Sequence, residues 1–143
     1  MAFIFFCCRF NKSHQIIGKY QVSAKLFNSA ISYMVTDRKG TLWVGTFEKG
    51  LFTFNYKTRS FSPVVTPKGI DMYFIRTVEV GNNANEYWIG TEKGLFILNV
   101  KTGFCQLYIQ SFDENSKTLN DNAVYKIFRN RQNVLFVGTF LGV

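Results

Sequence analysis

The sequence predicts an all-β fold assembled from four-stranded antiparallel meanders, and three observations predict it. One phrase returns: "TLWVGTFEKGLFTFN" at 41–55 reappears as "EYWIGTEKGLFILN" at 86–99, with Glu48-Lys49-Gly50-Leu51-Phe52 identical to Glu92-Lys93-Gly94-Leu95-Phe96 at an offset of 44 residues. Short apolar runs alternate with clusters rich in the Gly and Asn that tolerate the positive φ of tight turns. The 143 residues are 47% apolar and 17% aromatic, enough to build a core and too much for a disordered chain. Four-stranded units repeating every ~40–50 residues, each too small to bury its own faces, are the signature of β-propeller blades stacked around an axis.

The period sets the elements in order. Asn11, Asn55 and Asn99 stand 44 and 44 residues apart, preceded by Phe10, Phe54 and Leu98. Residues 1–27 therefore read as the third and fourth strands of a partial blade with an atypical N-terminus. Residues 28–66 read as a full blade, its expected strands running from Ile31 to Thr36, Leu42 to Thr46, Leu51 to Tyr56 and Phe61 to Val65. Residues 67–112 form another, with expected strands from Ile75 to Val80, Tyr87 to Thr91, Leu95 to Val100 and Phe104 to Ile109. Residues 113–143 supply the first two strands of a further partial blade, because "NVLFVGTFLGV" at 133–143 repeats "GTLWVGTFEKG" at 40–50. The length differences fall in loops: Phe47 reads as an extra residue in the first copy, and "SFDENSKTLNDNA" lengthens the last connection. The two partial blades together hold the strands of one complete blade. That makes about three blades, fewer than the roughly four to eight of closed rings, and predicts a piece of a larger propeller. Its exposed sheet faces and edges predict self-association.

Some repeated residues have structural meanings. Trp43 and Trp88 sit on second strands and are expected to fill the gap between neighbouring blades. Gly45 and Gly90 follow them and permit close approach there, while Gly50 and Gly94 turn the chain into the third strands. Phe136 and Gly138 hold the corresponding positions of the last copy. Many strands are apolar on both faces, which a sheet tolerates only when it is covered on both sides.

Several function classes are excluded. The net charge of +8 arises from 17 Lys and Arg against 9 acids, scattered singly with only Arg38-Lys39 adjacent, so no stripe for nucleic acid forms. The leading "MAFIFFCC" lacks the charged start of a secretory signal and is far shorter than the ~20 apolar residues of a membrane-spanning helix. Cys7, Cys8 and Cys105 are odd in number and define no disulfide framework. His14 is the only histidine and has no nearby carboxylate, so neither zinc nor a nucleophilic triad is indicated, and no cofactor is implied. Asp37 with Gly40 reads as a hairpin turn. The D-x-x-G-x-x-W spacing is one residue longer than a sialidase Asp-box, and "NVKTGF" lacks the tryptophan of quinone-dependent propellers.

"AISYMVTDRKGTLWVGTFEKGLFTFNYKTRSF" resembles the two-component regulator propeller repeat of bacterial sensor proteins, whose pattern reads roughly (L)xxNxIxxIxxDxxGxLWIGTxxGLxxYDxxTGxF. The resemblance covers about residues 26–143. It implies a periplasmic or other extracytoplasmic location, in the sensor region of hybrid histidine kinases that detect mainly glycan breakdown products. The partners it implies are the remaining propeller blades of a longer chain and an oligosaccharide ligand. With no kinase core among these residues, no enzymatic activity is carried over.

Loops on rigid sheets are where ligand contacts usually arise. If the strands run from axis to rim, one face carries Ser29, Asn120, Asp121 and Asn122, from the loops entering first strands. The same face carries Phe47, Glu48, Lys49, Glu92 and Lys93, from the turns between second and third strands. Aromatics beside amides and charges suit sugars. A non-signalling scaffold that docks a protein or glycan is the alternative function.

Overall fold

A computed structural model of the protein describes residues 6–21, 29–112 and 118–142. Among them there are twelve strands and no helix. Strands β1 (Phe6–Phe10) and β2 (Ile16–Gln21) form a hairpin. A four-stranded sheet follows, made of β3 (Ile31–Thr36), β4 (Leu42–Thr46), β5 (Leu51–Asn55) and β6 (Ser60–Pro63) in sequential antiparallel order. The second such sheet holds β7 (Ile75–Val80), β8 (Glu86–Thr91), β9 (Gly94–Asn99) and β10 (Cys105–Tyr108). A final pair, β11 (Val124–Arg129) and β12 (Leu135–Thr139), ends the described chain.

The turns follow from side chains that satisfy the backbone locally. Asn11, Asn55 and Asn99 act alike. Each Oδ1 accepts two backbone amides of its own turn, Ser13 and Gln15, Lys57 and Thr58, and Lys101 and Thr102, at 2.9–3.2 Å. At Asn55 and Asn99 these Asx turns end β5 and β9, so Tyr56 and Val100 lie in turns rather than in the strands expected to contain them. The fourth strands are shorter than expected because they are outer edges. Pro63, which has no amide hydrogen to give a further strand, closes β6, and Val65 beyond it is 85% exposed. Thr46, Thr91 and Thr139 hold the turns after second strands, each donating its hydroxyl to the carbonyl of the following glycine, Gly50, Gly94 or Gly142.

The sheets stack face to face. Strand β7 lies against β3 and β4 on one side and β11 on the other, so the first strands converge. Trp43, Leu51, Ile75, Val78, Tyr87, Ile89, Phe96 and Leu98 make one buried cluster across the joint between the two complete sheets. A second joint holds Leu95, Val124 and Ile127, flanked by Trp88, Leu119, Leu135 and Val137. Val44, Phe52, Phe54 and Phe61 cluster on the opposite side of the first sheet. The second-strand glycines are what let the sheets approach. A Cβ on Gly45 would lie 2.5 Å from Ile75 Cγ2, and one on Gly90 would lie 2.6 Å from Val124 Cγ1.

Candidate functional site

Each first strand carries one irregularity of register, and all three fall at the same place. The pairing slips between Ile31 and Tyr33, between Ile75 and Thr77, and between Val124 and Lys126, which makes Ser32, Arg76 and Tyr125 the extra residues of β-bulges. Bulges re-aim side chains and are common beside functional sites. Here they direct three side chains to the end of the sheets where the turns after the second strands gather.

Arg76 is the centre of this cluster. It pairs with Glu92, its Nε donating to Oε1 at 2.6 Å, and its guanidinium lies over the rings of Phe47 and Tyr125 at 5.6 and 5.0 Å. Rings on neighbouring blades and a carboxylate on its own blade thus fix the guanidinium in one place. Phe74 packs edge-on to Phe47 at 6.1 Å, and Phe140 tilts against Tyr125 at 6.2 Å. The Arg76 and Glu92 side chains remain 32% and 29% exposed, and Phe140 is 71% exposed, so the cluster faces solvent. Ser32 donates to the Ile75 carbonyl at 2.5 Å and ties the first sheet to the second just below it.

The residues singled out by sequence are placed differently from one another. Phe47 and Glu92 lie in the cluster. Phe47 is no insertion: its amide donates to the carbonyl of Ala30 as that of Phe140 does to Ala123, so it occupies a repeated position. The additional residue of that turn is Glu48, because Lys49 and Lys93 make the same amide bond to a threonine hydroxyl. Glu48 is exposed, its amide meeting the Ser29 hydroxyl at 3.3 Å, while Lys93 extends over Tyr73 at 5.8 Å. Asp121 and Asn122 hold loops, their side-chain oxygens accepting the amides of Ala123 and Gln110 at 2.6 Å each, and Asn120 lies exposed beside them. Sequence alone does not single out Arg76, Tyr125, Phe74 or Phe140. The signal for the first two is a one-residue excess in a strand, invisible in an apolar pattern.

At the opposite end of the first joint, Asp37 gathers four donors. Oδ1 accepts the amides of Lys39 and Thr41 at 2.9 and 2.8 Å, and Oδ2 accepts Trp43 Nε1 at 2.9 Å and Tyr87 Oη at 2.7 Å. Burial works to raise the Asp37 pKa, and these hydrogen bonds outweigh it and hold the carboxyl below its usual range. Burial, then the bond to Asp37 and its charge, push the Tyr87 phenol well above its ordinary value. This is an interblade latch made of fully satisfied partners. Among the described residues no three His, Cys, Asp or Glu side chains gather as metal ligands.

Residues 25–48 match the family model described as two component regulator propeller. The extracellular domain of a protein described as a hybrid two component system, BT4673 from B. thetaiotaomicron, superposes on 92% of this chain with a TM-score of 0.72 at 20% identity. A further structure of BT4673, described there as a one component system, gives 0.69 over 92% at 22%. The corresponding domain of BT3049 from the same organism gives 0.63 over 85% at 24%. The chain spans only 17%, 18% and 15% of those three chains. No curated protein matches it. No helix among the described residues is long and apolar enough to cross a membrane. The chain is a set of β-propeller blades resembling a part of the extracellular domains of two-component systems, with the two component regulator propeller repeat recognisable at residues 25–48.

Proposed function

We propose that the chain contributes blades to an extracytoplasmic ligand-sensing propeller of a two-component signalling protein, and that its ligand is a glycan bound at the cluster around Arg76. The observation that carries this reading is the repeated first-strand bulge, which sets Arg76 and Tyr125 among Phe47, Phe74 and Phe140 on one exposed end of the blades. Sugars combine apolar faces with dense hydroxyls. Rigid aromatic rings beside a fixed guanidinium and carboxylate answer both. Arg76 is already matched by Glu92, which supports a neutral sugar over the acidic one that a net charge of +8 suggests. No catalytic role is part of this proposal.

The test is calorimetric titration of the purified protein with neutral and acidic oligosaccharides. Binding of a neutral oligosaccharide is expected, weakened about tenfold or more by Arg76→Ala or Tyr125→Ala, equivalent to about 1.4 kcal/mol. Binding that survives both substitutions would move the site elsewhere. An absence of glycan binding, with capture of a protein partner through the same residues, would favour a non-signalling scaffold.

A further inference from the structure

Lysines and arginines that are scattered along the sequence meet at one end of the fold. In an antiparallel meander the turns between first and second strands and those between third and fourth strands share an end. The first kind closes alike in three sheets: the amides of Asp37, Gly81 and Asn130 donate to the carbonyls of Thr41, Glu86 and Val134 at 2.7–3.0 Å. This end carries Arg38 and Lys39 after β3, Lys57 and Arg59 after β5, Lys101 after β9, and Arg129 and Arg131 where β11 turns into β12. All but the half-buried Arg129 are exposed.

The carboxylates at this end do not answer them. Asp37 is taken up by its latch, Glu86 accepts the Asn82 amide and Trp88 Nε1 at 3.0 and 2.9 Å, and Glu79 accepts the Val80 amide at 3.1 Å. Among the described residues none of the seven cations forms an ion pair. Lys39 reaches the neutral side-chain oxygen of Asn85 at 3.2 Å, and Arg129 donates to the backbone oxygens of Val80 and Gly81 at 2.7 Å each. Among the described residues the opposite end is balanced, with Lys49, Lys68, Arg76 and Lys93 beside Glu48, Asp71, Glu92 and Asp121.

Two further features lie among the unpaired cations. Tyr56 and Phe104, in the turns after β5 and β9, are 52% and 59% exposed. A cleft of about 160 Å³ between the turns after β3 and β7 is lined by Arg38, Lys39, Asn82, Asn83 and Asn133, whose side chains can donate to an anion. The carboxylate that also lines it, Asp37, is already filled with donors.

We infer that this end of the blades docks on a bilayer surface rich in anionic phospholipid, with headgroup phosphates meeting the turn cations and Tyr56 and Phe104 lying at headgroup depth. Cations spread turn by turn over three sheets do not match a rod of nucleic acid or a compact acidic peptide. Lipid headgroups move laterally and gather under each charge, so a dispersed set is enough. Aromatic rings settle at the boundary between headgroups and acyl chains. This orientation turns the Arg76 cluster away from the membrane, where a soluble ligand can reach it. The inference rests on the distribution of charge and is independent of the glycan reading.

Cosedimentation of the purified protein with vesicles tests it. Binding is expected to vesicles of mixed phosphatidylglycerol and phosphatidylcholine, is not expected to phosphatidylcholine alone, and should fade as salt is raised toward about 1 M. Arg38→Glu combined with Lys57→Glu should weaken it about tenfold or more. Lys49→Glu combined with Lys68→Glu changes the net charge equally at the opposite end and should leave it unaltered. Tyr56→Ser with Phe104→Ser should weaken binding without changing its salt dependence. All six side chains are exposed, and an unchanged thermal melting curve checks that each variant is folded. A lack of binding to the anionic vesicles, equal losses from the two charge-reversed pairs, or binding to soluble polyglutamate as tight as to vesicles would overturn the inference.

Discussion

Asp37 uses its two carboxylate oxygens differently, one to close the turn between β3 and β4 and one to hold Trp43 and Tyr87 together across a blade joint. The rings of Trp43 and Tyr87 lie 4.1 Å apart between centroids, so the carboxylate orients an aromatic contact across that joint. Hydrogen bonds to a charged group are worth about 1.5–3 kcal/mol, and removal of the acceptor leaves the half-buried donors unsatisfied. Asp37→Ala is expected to destabilise the fold by about 2–4 kcal/mol in denaturant titration, with Tyr87→Phe costing about 1 kcal/mol. The direction of the Asp37 shift also sets a pH dependence. A carboxyl held below its ordinary value of 3.8 contributes stability that is present above that range and lost as pH falls through the lower folded value. The stability gap between the native protein and Asp37→Ala should therefore narrow below about pH 4. The turn half of this role is legible in the D-x-x-G spacing. The Tyr87 half is not, because its partner lies 50 residues away and no local pattern announces it.

At the level of elements, the glycines of the second strands distinguish packed from unpacked sheets. Gly45, Gly90 and Gly138 occupy one register position opposite Tyr33, Thr77 and Lys126. A Cβ on Gly45 would meet Ile75 at 2.5 Å, and one on Gly90 would meet Val124 Cγ1 at 2.6 Å and its backbone oxygen at 3.0 Å. On Gly138 the nearest atom is the Lys126 oxygen at 3.6 Å, an ordinary contact. Overpacking costs about 1–3 kcal/mol where the neighbour cannot move, and Gly→Ala in a free site is neutral or mildly stabilising. Thermal unfolding should therefore rank Gly90→Ala as most damaging, Gly45→Ala next and Gly138→Ala as nearly silent. Strand order and most boundaries are legible in the sequence because the apolar runs, the Asx turns and the repeated glycines reinforce one another. The bulges are not, since one extra residue in a strand leaves the apolar count unchanged. They place Arg76 and Tyr125, so the candidate site is only half visible: Phe47 and Glu92 stand out as turn residues, and their partners do not.

For the whole molecule, the arrangement of sheets predicts a gradient of stability along the chain. Blades couple to nearest neighbours, as repeats do in other stacked architectures, so a sheet covered on both sides is the hardest to open. The second sheet meets this condition, with β3 and β4 packed on one side of β7 and β11 on the other. Its strands hold Ile75, Val78, Ile89, Phe96 and Leu98, each no more than 4% exposed. Among the described residues the last hairpin is covered on one side only, and its Phe128, Val134 and Phe136 are 58%, 49% and 45% exposed. Native-state hydrogen exchange should accordingly find the slowest amides in β8 and β9 and faster exchange in β12.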